Sequence, residues 1–411
     1  MENLRFQEIN LARYEELEKQ CQQLNFMQSS AMAQIFQAKS YELYYFEALK
    51  GEQVKMIAFM TSVSIFGGKK FELRFAPSFL SGDFEDEIFF SFLKFLKKFV
   101  KDKSALILKV VPNLDWKYYS DNQELLAEKN PDFKSQMQAL SFEKTSPEIG
   151  YDEGEPTWHY VKVLSEIKDE KSLLKTYSTL GKRSIKKTKQ FEICIRRLTY
   201  DELSDFKKVT ELTSKRRGYR DHDLSYYQHF YQKFGESVDF LVAEINFENY
   251  QKSLKEQIIK LKEQIEKNQS VKKEKQRETW KNQLSSNEKR LLELSPLLEK
   301  YKGQAVVLAA ALFVETKSEK IYLFGGSYEE FKNFCGPYAI QYFAMTDAIK
   351  KSIPLYNFYG ITGSFDGGDG VLKFKQNFKG YSVQKQGAFT YYPQVMKYKF
   401  IHGLKKILRR Y

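Results

Sequence analysis

The sequence has little of what metal sites, disulfide scaffolds and nucleophilic triads require. Three cysteines, Cys21, Cys194 and Cys335, and four histidines are spread over 411 residues. An odd number at wide spacing excludes a disulfide framework and a CxxC zinc ribbon. His222 and His229 are close in sequence, but two histidines without further ligands at fixed spacing do not make a zinc site, and no metal is expected. The G-x-S-x-G, HExxH and phosphate-loop patterns are absent, which leaves no signal for a serine hydrolase, a zinc peptidase or a nucleotide-hydrolysing loop. No cofactor is expected. Long apolar runs are missing too: "AVVLAAALFV" at 305–314 is about half a membrane span and reads as a buried strand. The start, "MENLRFQEIN", has no apolar signal core, so a reducing, cytoplasmic setting is expected.

What is present is positive charge and aromatic mass. Lys and Arg number 66 against 53 Asp and Glu, a net charge of +13. That balance favours an anionic partner: nucleic acid, a phosphate-bearing substrate or anionic lipid. The 27 tyrosines and 34 phenylalanines point to strands and ring-lined clefts. A chain this long needs more than one core.

Two parts of the chain follow one order. "RFQEINLARYEELEKQC" (5–21) precedes "YYFEALKGEQVKMIAFMTSVSIFGGKKFELRFAPSF" (44–79); "CIRRLTYDELSDFKKVT" (194–210) precedes "DFLVAEINFENY" (239–250) and "GQAVVLAAALFVETKSEKIYLFGGS" (303–327). Each is a short strand, an acidic-capped helix and a hairpin of alternating apolar residues. The helix-to-strand runs at 89–111 and 338–361 match as well. A duplicated α/β module is expected. Its first copy spans 1–155 and its second 156–245 with 303–392.

The alignment exposes an insertion at 246–302, where the first copy has only "LKGEQ". Apolar residues recur there at Leu254, Ile258, Leu261 and Ile265, then at Trp280, Leu284, Leu291, Leu294, Leu298 and Tyr301. That spacing predicts two antiparallel helices around a polar turn, with Pro296 near the root kinking the second. The lysines on this arm and the tip "VKKEKQR" (271–277) suit a large anionic partner. The last stretch, 393–411, predicts a basic amphipathic helix with Ile401, Leu404, Leu408 and Tyr411 on one face. Such a helix either packs on the body or lies on anionic lipid.

Three further segments carry candidate binding residues. "LGKRSIKKTK" (180–189) places Lys182, Arg183, Lys186 and Lys187 at helical spacing, a solvated face or a phosphate-facing one. "KRRGYRDHDLSYY" (215–227) interleaves arginines with tyrosines, which suits an anion with a ring-bearing body. "GITGSFDGGDGVLKFKQNFKG" (360–380) is a glycine-rich loop leading into a basic helix or strand.

Together "YLFGGSYEEFKNFCGPYAIQY", "LYNFYGITGSF" and "GVLKFKQNFKG", with a helical hairpin upstream, resemble the FemABX family of aminoacyl-tRNA-dependent transferases that build peptidoglycan cross-bridges. The resemblance covers nearly the whole chain. It implies two acetyltransferase-like (GNAT-like) α/β domains in tandem, with charged tRNA and lipid II as substrates. An aminoacyl ester is already activated, so alignment and oxyanion stabilisation suffice and no protein nucleophile is required. The family's "FK" pair implies Lys375 at the reaction centre, after Phe374. Tyr226 carries over as a contact to the muropeptide diphosphate. His222 stands where relatives have arginine, and Arg217 or Arg220 is expected to supply the missing charge. Met32 and Phe36 occupy the family's Trp and Lys positions, with Lys39 one turn on. Phe75 and Ala76 replace the Arg-Gly of relatives. Lys182, Arg183, Lys186 and Lys187 are expected to face tRNA. The resemblance thus implies transfer of Ala, Ser or Gly to a lipid-linked precursor at the inner face of the plasma membrane, by a monomer or weak homodimer. The alternatives are an acyl-CoA-dependent N-acyltransferase, whose pyrophosphate loop is not found, and a non-catalytic tRNA- or lipid II-binding protein.

Overall fold

The computed structural model describes residues 4–153, 155–268 and 274–408, with side chains to Leu404. The tip residues Val271, Lys272 and Lys273, the side chains of Lys405, Lys406 and Leu408, and residues Arg409, Arg410 and Tyr411 lie outside the described residues.

Two mixed sheets form the body. The first runs Leu4–Ile9, Glu42–Lys50, Gln53–Ile65, Gly68–Arg74, Ala105–Val111, Phe389–Tyr391, Glu143–Lys144, with Ser78–Phe79 on the third strand. The second runs Cys194–Arg197, Val238–Asn246, Ala305–Glu315, Glu319–Ser327, Leu355–Ile361, Trp158–Val163, Tyr381–Lys385, Asp115–Tyr119, Leu125–Glu128. Each sheet holds one parallel pair bridged by a helix. In the first, Gly68–Arg74 pairs with Ala105–Val111 through the helix Asp86–Asp102. In the second, Glu319–Ser327 pairs with Leu355–Ile361 through the helix Gly336–Lys350. A parallel connection needs such a crossover, and its recurrence is the tertiary form of the duplicated sequence order.

The helix Asp86–Asp102 buries Ile88, Phe89, Phe92, Leu93, Leu96 and Val100. That spacing keeps one apolar stripe on the sheet. A second core lies between the modules: Tyr14, Phe36 and Phe59 from the first join Phe206, Tyr227 and Leu312 from the second. The helices Ser30–Ala38 and Leu224–Phe234 pack together at this seam.

The boundaries at 155 and 392 do not separate the sheets. Asp115–Tyr119 and Leu125–Glu128 pair into the second sheet, and Phe389–Tyr391 pairs into the first. The exchange is held by Lys385 against Asp115 at 2.6 Å and by the Tyr118 and Tyr381 rings 5.9 Å apart. "DWKYY" is short and half-buried throughout, so it carries no apolar alternation to announce its sheet.

The arm fills the turn between Val238–Asn246 and Ala305–Glu315, whose pairing closes at Asn246 opposite Ala305. Its helices are Phe247–Lys267, Glu274–Glu293 and Ser295–Lys300, the last opening with Pro296. Leu254, Ile258, Leu261, Asn287 and Leu294 are buried along the seam. The first helix, 21 residues, is about 32 Å long at 1.5 Å per residue. No described helix is long and apolar enough to cross a membrane.

Candidate active site

The two parallel pairs differ. In the first sheet the pair runs from Lys69 opposite Ala105 to Arg74 opposite Val111, with one register shift between Lys69 and Lys70. In the second the pairing stops at Ile321 opposite Asn357. Beyond that point Tyr359 adopts a left-handed backbone, φ 60°, and the carbonyls of Tyr359 and Gly360 turn to a side chain from another element. That side chain is Lys375.

Lys375 is 3% exposed, on the helix Gly370–Gln376. Its Nζ donates to the Tyr359 carbonyl at 3.2 Å and the Gly360 carbonyl at 2.5 Å. An ammonium has three N–H groups, so one remains for a ligand oxygen. Burial pulls its pKa from the usual 10.5 to about 7; Asp369 opposes the fall and Arg217 adds to it. The amine is therefore poised between charged and neutral near neutral pH.

Asp369 fixes the helix that carries Lys375. One carboxylate oxygen accepts from the Val371 and Leu372 N–H groups, 2.8 and 3.0 Å, as an N-cap. The other accepts from Thr362 N–H at 3.0 Å and Thr362 O–H at 2.8 Å, tying the helix to the strand that supplies the carbonyls. Gly363 completes the turn with φ 76°; a Cβ there would sit 2.3 Å from the Trp158 indole nitrogen. Phe374 packs on Tyr338 and Phe378, ring centroids 5.0 and 5.3 Å away, and so braces the helix.

A second cluster lies at the seam between modules. Lys39 Nζ stands 4.2 Å from the Tyr226 ring centroid, and the His222 ring stacks on Tyr226 at 4.0 Å. Lys39, one turn past Phe36, thus comes from the C-cap of the helix Ser30–Ala38 to the ring. Burial, then the Lys39 charge, lowers the pKa of His222, so that imidazole is neutral at pH 7 and does not replace an arginine's charge. A second cation near this cluster is Arg74, whose guanidinium is paired with the Glu72 carboxylate. Its guanidinium lies 5.2 Å from the Phe36 ring centroid, and its charge acts on both Lys39 and Tyr226.

Tyr359 and Glu155 join the two clusters. The Tyr359 hydroxyl donates to Glu155 at 3.0 Å, while the same residue's carbonyl accepts from Lys375. Burial raises the pKa of Glu155, against the pull of Arg74. The cleft beside it is lined by Glu72, Arg74, Lys109, Glu155 and Lys385, from both modules. Sequence reasoning missed Arg74, Glu155 and Tyr359. Arg74 stood beside the replaced "RFAP" positions, and Glu155 and Tyr359 had no motif to mark them.

The other expected residues fall at the margin. Arg217 ends the helix Leu203–Arg217, exposed, and its charge reaches Lys375 and Tyr151. Arg220 is exposed in the loop that follows. Lys182, Arg183 and Lys186 are exposed on the helix Thr179–Gln190, while Lys187 is half-buried beside Cys335. Ser178, which caps that helix, donates to the Asn377 side chain at 2.9 Å, tying its start to the end of the helix that carries Lys375. Met32, Phe36 and Phe75 are core residues.

Among the described residues one carboxylate cluster has metal-ligand spacing, Asp239, Glu315 and Asp347. The fully buried Lys320 ammonium bonds to all three, at 2.9 Å from Asp239 and 2.7 Å from Asp347, and with Arg197 and Lys351 it offsets their charge.

The FemAB family profile matches residues 9–406. The chain belongs to the FemAB family. Aminoacyltransferase FemA of Staphylococcus aureus (strain MRSA252) is 31% identical over 342 residues, covering 80% of this chain and 81% of that protein. The same-named protein of the bovine strain RF122 / ET3-1 is 30% identical over the same shares. The crystal structure of FemX superposes with a TM-score of 0.74 at 18% identity, over 97% of this chain and 99% of that one, so the two share a fold. As a member of the family the chain is an aminoacyltransferase of peptidoglycan cross-bridge synthesis.

Proposed function

We propose that this transferase moves Ala, Ser or Gly from aminoacyl-tRNA to an amine of the stem peptide or nascent bridge of lipid II, with Lys375 at the reaction centre. The supporting observation is the Lys375 amine, buried, gripped by two carbonyls and left with one N–H to give. The acceptor amine attacks the ester carbonyl carbon. The carbonyl oxygen becomes the oxyanion that this N–H meets; the ester bond to the tRNA ribose then breaks as the oxyanion collapses to the amide, and the proton lost by the amine goes to the departing ribose oxygen. Lys39, Arg74 and Tyr226 form a cationic, ring-floored spot for the diphosphate of the acceptor. The exposed Lys182, Arg183 and Lys186, on a helix whose start is bonded to the end of the Lys375 helix, are the phosphate contacts proposed for the tRNA. The reaction runs at the inner face of the plasma membrane, where a lipid-linked acceptor resides, on a monomer or weak homodimer.

The test is a transfer assay with lipid II, or a bridge-primed form, and a panel of radiolabelled aminoacyl-tRNAs. Lys375→Ala is expected to lower kcat by about 10²–10³, the usual effect of removing an oxyanion donor, with tRNA binding retained. Unchanged turnover removes Lys375 from the chemistry. Binding of both substrates with no transfer to any acceptor leaves a binding protein.

A further inference from the structure

The last helix, Val395–Leu408, docks on the first sheet by one side. Gln394 donates to the Ala105 carbonyl at 3.2 Å, and the Tyr392 and Tyr398 rings lie 4.2 Å apart. Ile401, 9% exposed, sits over Gly67 and beside Leu106; a Cβ on Gly67 would meet its Cδ1 at 2.3 Å. Ile401 therefore faces the body, while Leu404, expected on the same face, is partly exposed.

The other side carries Met396, Phe400 and Leu404, 88%, 69% and 38% exposed. Spacing of four places them one above another along the helix. Phe66, next to Gly67, is 69% exposed at the same end of the module. A single exposed apolar residue is ordinary, but a row of large ones is not. Lysines surround the row. Lys397 and Lys399 are exposed on the helix, and Lys101 and Lys103 lead to Ser104, whose carbonyl abuts Gly68. The sequence continues through Lys405, Lys406, Arg409 and Arg410.

We infer that this end of the molecule is a membrane-docking surface: Met396, Phe400, Leu404 and Phe66 enter the headgroup boundary of an anionic bilayer while the lysines meet its phosphates. An interfacial helix binds by this pairing of apolar insertion with basic attraction. A second copy of the chain fits poorly. It would set lysines against lysines in a protein of net charge +13. The surface uses no residue placed at the Lys375 site and stands whether or not Lys375 is catalytic.

The experiment is sedimentation of the full chain with vesicles of phosphatidylglycerol and phosphatidylcholine in equal parts, or of phosphatidylcholine alone. The wild type is expected to bind the anionic vesicles and to bind the neutral ones about tenfold more weakly. Met396→Glu/Phe400→Glu is expected to bind the anionic vesicles about tenfold more weakly again, with its melting temperature and its transfer to a soluble muropeptide unchanged. Lys397→Gln/Lys399→Gln is expected to weaken binding and flatten its salt dependence. Failure of the wild type to bind, or equal binding by the glutamate variant, overturns the inference. So does a wild-type dimer, seen by analytical ultracentrifugation, that the glutamate variant dissolves. Transfer to the soluble acceptor is scored separately, so loss of membrane binding and loss of the transfer reading are distinguishable.

Discussion

Lys375 works in the proposed reaction only if its amine is charged when the oxyanion forms. Burial brings its pKa to about 7, so the ammonium predominates below that pH and is lost as pH rises through it. The profile of kcat/KM for aminoacyl-tRNA, which reports the free enzyme, should bend downward near pH 7. Arg217 is exposed and its charge disfavours the ammonium. Arg217→Gln should therefore move the bend to higher pH with little effect on stability. A bend that stays in place, or none, counts against a cationic Lys375. The residues of the proposed site were unequally legible. Lys375 and Tyr226 were found through a family signature; Glu155 was not, because a lone glutamate acquires meaning only when folding sets it beside Tyr359 and Arg74.

At the scale of elements, the arm is separable. Asn246 opposite Ala305 closes the hairpin without it, and its root is pinned by Tyr250, Leu254 and Leu294 packing with Phe191 and Phe331. Replacing residues 256–291 with a short turn keeps that root and removes the exposed Lys260 and Lys262. The body should fold with its melting temperature nearly unchanged. tRNA should bind more weakly and with a shallower salt dependence, since fewer phosphates are neutralised. Unaltered affinity with a changed sedimentation coefficient would make the arm a dimerisation element. The arm's seam was readable because helical periodicity is a local property: each position expected on it between Leu254 and Tyr301 is buried or half-buried.

At the scale of the molecule, the modules are not independent. Each sheet takes at least one strand from the other part of the chain, and a shared core spans the seam. A fragment ending at 155 leaves Asp115–Tyr119 without Tyr381–Lys385, and the first sheet without Phe389–Tyr391. The buried ion network of the second module is a comparable commitment. Lys320 is wholly buried among Asp239, Glu315 and Asp347. Lys320→Met should cost about 3–5 kcal/mol in denaturant unfolding, the usual result of leaving buried charge uncompensated. A loss below about 1 kcal/mol would mean that Arg197 and Lys351 suffice to balance the acids.

The sequence by itself determined the module order, the insertion point of the arm, the amphipathic helices and the lysine of the "FK" pair. These follow from short-range periodicity, from turn residues and from a motif. Tertiary structure decided which strands change sheets, where the second parallel pair opens to receive Lys375, and which second cation, Arg74, comes to the Phe36 ring near Lys39 and Tyr226. It also decided which face of the last helix stays outside. All of these depend on residues far apart in the chain meeting in space, and neither composition nor local spacing encodes such meetings.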